Sequence, residues 1–153
     1  ETVHFDGKET TILPTNQLGL EEIYYQKHPI DIQPAPSDPS IKMPLGELFG
    51  ARSGDKGGCA NIGVWAKTEN AYSFLNDCLT VKKIKELMPD LAEFQIDRYE
   101  LPNILSLNFY IHGILEDGVS SNTRKDGQAK SLGEYLRAKY IEIPKSLIKE
   151  KEA

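Results

Sequence analysis

Tryptophan occurs once in this chain, cysteine and methionine twice each and histidine three times, and each scarcity removes some chemistry. Cys59 and Cys78 are not spaced as a CxxC pair, and two cysteines make neither a disulfide framework nor a zinc ligand set. Reduced thiols in a cytoplasmic protein are the expectation. His4, His28 and His112 include no pair at helical ligand spacing, so neither a protein-built metal site nor a cofactor is expected. No apolar run approaches the roughly 18 residues of a membrane span, and no charged-then-apolar leader opens the chain. Basic residues are outnumbered, 18 against 23 acidic ones, giving a net charge of −5 and a pI near 5.2. A general nucleic-acid binder is normally basic, so neither nucleic acid nor membrane is an expected partner.

What remains is an ordinary globular composition. At 153 residues, 39% hydrophobic and 27% charged, the chain suits one domain with a real core. Residues 1–44 differ from the rest. Val3 to Thr10 reads as a hairpin turned by Asp6-Gly7. Pro29, Pro34, Pro36, Pro39 and Pro44 then mark an arm or linker that suits neither regular helix nor central strand. Opening on Glu1 instead of methionine fits a fragment or a processed product, with the arm as the remnant of a junction to a preceding domain. The compact unit is expected over residues 45–144, followed by a frayed charged tail over 145–153.

Within that unit, Leu45 to Arg52 and Asn61 to Lys67 flank a glycine-rich segment. Tyr72, Leu75 and Leu79 recur at helical spacing, and Thr80 can cap a second helical turn set bearing Val81, Ile84 and Leu87. Phe94 to Leu101 reads as a strand. Leu105, Leu107, Phe109 and Ile111 alternate with Ser106, Asn108, Tyr110 and His112, a period of two that puts one apolar face on a core. Asp126 is expected to cap a helix with a Leu132, Tyr135, Leu136 and Tyr140 stripe, and Ile141 to Ile143 a short edge strand. This order predicts an α+β, ferredoxin-like two-layer domain, a mostly antiparallel sheet with helices on one face. Asn61, Trp65, Asn108, Tyr110 and His112 should share its uncovered face.

The glycine-rich segment carries the chemistry. Gly54, Gly57 and Gly58 let backbone amides approach an external group, and Arg52 and Lys56 add charge to such a cradle. Ser53, Asp55 and Asn61 complete the candidate anion loop. Alternatively, the segment is a tight connection with Asp55 and Lys56 paired across it. A Walker loop requires a different spacing and a following helix, so triphosphate binding is disfavoured. Gly50-Ala51-Arg52-Ser53-Gly54 is no nucleophile elbow either, and Ser53 suits a bond to local backbone better than catalysis. His112 could carry protons near neutrality or sit in a subunit contact. Arg124 could clamp a carboxylate in two-point fashion or lie solvated.

The string from Ala51 to Ala66 closely resembles the C-terminal domain of the acyclic terpene utilisation protein A family. The likeness continues through Arg98 to Asn103, Leu107 to Gly113, Ser121 to Arg124 and Gln128 to Glu134, covering about Leu45 to Pro144. It implies a ferredoxin-like domain, a cytoplasmic bacterial setting, and an association with catabolism of acyclic terpenoids as coenzyme A thioesters. The segment before Leu45 would correspond to the end of the family's larger preceding domain. Cys59 stands where the family more often carries aspartate, so any role resting on that carboxylate would be missing here.

Three functions follow as alternatives. In the first, the domain binds an acyl-CoA or small acidic metabolite. Arg52, Lys56 and Arg124 supply charge, the Gly54 to Gly58 amides supply donors, and Asn61, Asn108 and His112 fix orientation. In the second, it is a homo-oligomerisation module with Trp65 and Tyr110 between copies. In the third, it is a small hydrolase using Ser53 or His112.

Overall fold

The computed structural model describes residues 2–11 and 34–152. Its elements run β1 (Thr2–Phe5), β2 (Lys8–Thr11), β3 (Ser40–Pro44), β4 (Gly50–Lys56), β5 (Cys59–Trp65), α1 (Glu69–Cys78) and α2 (Val81–Leu87). Then follow β6 (Ile96–Leu101), β7 (Ser106–Ile111), α3 (Leu132–Arg137), β8 (Tyr140–Pro144) and α4 (Lys145–Glu152). The first two strands form the expected hairpin, with Asp6 and Gly7 both at positive φ (48° and 70°) as a type I′ turn requires. Most of the proline-rich arm lies outside the described residues.

The central layer is a four-stranded antiparallel sheet in the order β4-β5-β7-β6. Because β7 is antiparallel to both β5 and β6, those two strands are parallel, with α1 and α2 between them in sequence. That is the split βαβ unit of a ferredoxin-like domain. The edge position beside β5 is filled by β4, joined to it by a hairpin, while the strand that follows α3 pairs elsewhere.

Alternation decides the two faces. Ala60, Ile62 and Val64 of β5 and Leu107, Phe109 and Ile111 of β7 are fully buried, and they pack with Tyr72 and Leu75 of α1, Leu79 and Ile84 in one core. Each such large apolar side chain contributes about 1.5–3 kcal/mol on burial. Helix α2 starts at its expected cap, Thr80, which accepts from the Lys83 amide, and Thr68 does the same for α1 by accepting from the Ala71 amide. Arg98 of β6 fastens the far end of α1, donating to the carbonyls of Asn76 (2.7 Å) and Leu79 (3.1 Å) and to the Glu100 carboxylate.

Four expectations need correction outside the central sheet. Ser40 to Pro44 is not linker: it pairs residue for residue with Tyr140 to Pro144, so the ordered unit begins before Leu45. The charged tail is helix α4, not a frayed end, because Leu147 is buried and Asp38 accepts bonds from the amide and hydroxyl of Ser146 (2.9 and 2.6 Å). Tyr135 and Tyr140 do not continue the stripe of Leu132 and Leu136, since both are exposed and Tyr140 belongs to β8. Asp126 does not cap α3 directly. It accepts from the amides of Lys130 and Ser131 (both 2.8 Å) and organises the turn ahead of the helix.

Candidate open-face site

Among the described residues no element covers the second face of the sheet. The register brings Arg52 and Lys56 of β4, Asn61 and Trp65 of β5, Asn108 and Tyr110 of β7, and Asp97, Tyr99 and Leu101 of β6 onto that face. Asn61 donates to the Asn108 carbonyl oxygen at 2.9 Å across the strand pair, fixing both amides. His112 follows Ile111 in the strand alternation, and its Nε2–H donates to Asp97 at 2.7 Å. Its ring meets Tyr110 edge to face with centroids 4.9 Å apart. Hydrogen bonds from His112 and Gln95 hold the Asp97 carboxyl below its usual range. The Tyr110 phenol is pushed up, first by its bond to the Cys59 thiol and then by desolvation.

The expected anion loop does not have the assumed shape. Gly54, Asp55 and Lys56 are strand residues, paired with Asn61, Ala60 and Cys59, so only Gly57 and Gly58 are left as a two-residue turn. Successive amides along a strand point to alternate sides, so those from 54 to 58 do not converge on one concavity. The glycines serve the hairpin instead. Gly57 sits at φ +65°, and a Cβ at Gly58 would collide with the carbonyl of Glu116. In the alternative reading of the segment Asp55 pairs with Lys56; instead the Asp55 carboxylate lies 3.8 Å from Lys130 Nζ, and Lys56 donates to the Asp55 backbone carbonyl.

Ser53 is structural. Its hydroxyl donates to the Lys130 carbonyl (3.1 Å) and accepts from the Gly133 amide (2.9 Å), tying β4 to the start of α3. It lines a groove of about 300 Å³ with Arg52, Lys130 and Glu134. Arg124 does not join it: that arginine lines a separate depression with Asp90 and Asp126. Neither arrangement gives a hydroxyl or thiol a base and an oxyanion donor, so no hydrolase geometry forms among the described residues. No cluster of three His, Cys, Asp or Glu side chains suited to a metal occurs among them.

Sequence reasoning missed Asp97, Tyr99 and Leu101, which period two along β6 would have placed on the open face. It also missed Lys67, Lys130 and Arg137, whose positions depend on the ends of strands and helices. No helix among the described residues is long and apolar enough to cross a membrane.

Two layers, an antiparallel sheet and a split βαβ unit define a ferredoxin-like α+β domain. The AtuA ferredoxin-like domain model matches residues 43–142, about two-thirds of the chain, and the chain belongs to that family. The match begins inside β3, in keeping with the pairing of that strand to β8. No curated protein and no solved structure matches the chain.

Proposed function

We propose that this domain is a self-association module that joins two copies of the chain through the open sheet face. The observation that supports this reading is the uncharged, tyrosine-bearing centre of that face, where Asn61, Tyr99, Ser106, Asn108 and Tyr110 lie side by side. Loss of charge together with tyrosine and tryptophan enrichment is the composition of an interface centre. Tyr99 and Leu101 are 50% and 41% exposed in the single chain, a patch that a partner would cover. Charge favours a second copy as that partner. Arg52 and Lys56 stand on β4 at one side, and Asp97 on β6 at the other. A two-fold axis parallel to the strands sets each β4 opposite β6 of the other copy, facing cations with a carboxylate as an isologous contact requires. Sedimentation velocity tests the reading: the wild-type chain should run as a dimer and Tyr110→Asp as a monomer. A wild-type monomer at every concentration contradicts it.

One observation favours a second reading, the groove shared by Arg52, Ser53 and Lys130. There an acyl-CoA or small acidic metabolite of acyclic terpenoid catabolism would meet two cations, without help from converging glycine amides. A rise in melting temperature with coenzyme A esters, abolished by Arg52→Ala, supports it. No rise removes it. Both readings place the domain in the cytoplasm beside a larger companion domain of the family, a setting that suits its two free thiols.

A further inference from the structure

At the end of the sheet a cleft of about 440 Å³ opens where β4 and β5 meet the start of α1, the end of α3 and helix α4, sharing only Trp65 with the open face. That size lies within the range of small-molecule pockets. Leu48, Trp65 and Leu147 give it apolar walls, and Lys67 and Arg137 give it positive charge. The Trp65 ring lies over Gly50, where any Cβ would collide with it, so the glycine makes room for an aromatic floor. Of the remaining charges, Lys151 is matched by Glu47 at 3.5 Å, and Glu150 is the other lining carboxylate. The Thr68 hydroxyl accepts from the Ala71 amide and keeps its own O–H to donate, a neutral donor beside the two cations.

Arg137 is incompletely satisfied. One Nη donates to Glu134 at 2.9 Å, while its Nε is buried with no partner among the described residues. Buried donors of this kind are rare, and a guanidinium beside an apolar wall is the usual partner of a carboxylate. Lys67 is exposed and makes no side-chain ion pair among the described residues, so its charge is available to a ligand.

We infer that this cleft binds a small monocarboxylate with an apolar body, its carboxylate held by Lys67 and Arg137 and its chain laid along Trp65, Leu48 and Leu147. The inference is independent of self-association and of the Arg52 groove.

Trp65 is the only tryptophan; it lines this cleft and also stands on the open face, so the Lys67 and Arg137 variants, which lie off that face, assign its response to the cleft. The test is a fluorescence titration of the full chain, at one fixed protein concentration, with octanoate and separately with octanamide. Octanoate should give a saturable change, and octanamide should bind at least tenfold more weakly. Lys67→Gln and Arg137→Gln should each weaken octanoate at least fivefold with an unchanged circular dichroism spectrum. Should Arg137→Gln fail to fold, Lys67→Gln decides, because that exposed side chain makes no hydrogen bond or ion pair among the described residues. Absence of a saturable change at millimolar octanoate overturns the inference. So does equal binding of acid and amide, or a Lys67→Gln variant that binds octanoate like the wild type.

Discussion

The hydroxyl of Ser53 accepts the amide hydrogen of Gly133 at 2.9 Å, fastening two residues 80 positions apart in the chain. The contact holds α3 on the β4 edge, and Gly133 permits it, since a Cβ there would meet the Arg52 backbone at 3.2–3.3 Å. Removing the hydroxyl leaves a part-buried amide without its acceptor. Ser53→Ala should therefore lower stability by about 1–3 kcal/mol in urea unfolding. Gly133→Ala should cost a comparable ~1–3 kcal/mol through overpacking against backbone that has little room to yield. A catalytic Ser53 would instead show wild-type stability after substitution.

The hairpin account of the glycines predicts an asymmetry. Gly57 has open space around it but a φ of +65°, so Gly57→Asn should be mild and Gly57→Val severe. Gly58 has the opposite problem. Gly58→Ala should destabilise more than Gly57→Asn, because the carbonyl of Glu116 occupies the position of the new methyl. Thermal melts of the three variants check this order.

Acid should weaken the fold through identifiable carboxylates. Asp97 is held low by hydrogen bonds from His112 and Gln95, and Asp38 by those from Ser146. At Asp126 desolvation pushes upward, but the bonds from Ser131 and Lys130 together prevail and lower it. A depressed folded pKa stabilises above the unfolded value, near 3.9 for aspartate. That contribution disappears as the pH falls from there through the folded value. Melting temperature should therefore decline below about pH 4, and Asp97→Asn or Asp126→Asn should flatten the decline.

The two thiols should differ in reactivity. Burial pushes Cys78 up to about 12, which leaves almost no thiolate near neutrality. Cys59 stands half-buried on the open face and accepts from the Gly113 amide at 3.4 Å. Alkylation at pH 8 followed by mass spectrometry should find a single modified site, Cys59, until denaturant releases Cys78.

Local signals carried the centre of the fold. The alternation from Leu105 to His112 named the core face of β7, and Thr80 marked the start of α2 by its capping chemistry. The same period of two put Asn61, Trp65, Asn108 and Tyr110 on one face, as the register has them, and His112, just past the end of β7, is held to Asp97 on that face. Contacts between distant segments were not legible. Ser40 to Pro44 has too many prolines around it to read as a strand, and becomes one only because Tyr140 to Pro144 offers a partner. The tail became α4 through a cap from Asp38, more than 100 residues away. The glycine run misled because closely spaced glycines suit a tight hairpin as well as an anion cradle, and only the Lys56 to Cys59 register separates the two.

Cys59 also makes the central claim directly measurable, since it lies on the face held to join two copies. Its alkylation rate should fall as protein concentration rises through the range in which the dimer forms, and Tyr99→Asp/Tyr110→Asp should abolish that dependence. A Cys59 rate that is the same in dilute and concentrated wild-type protein contradicts an interface on this face.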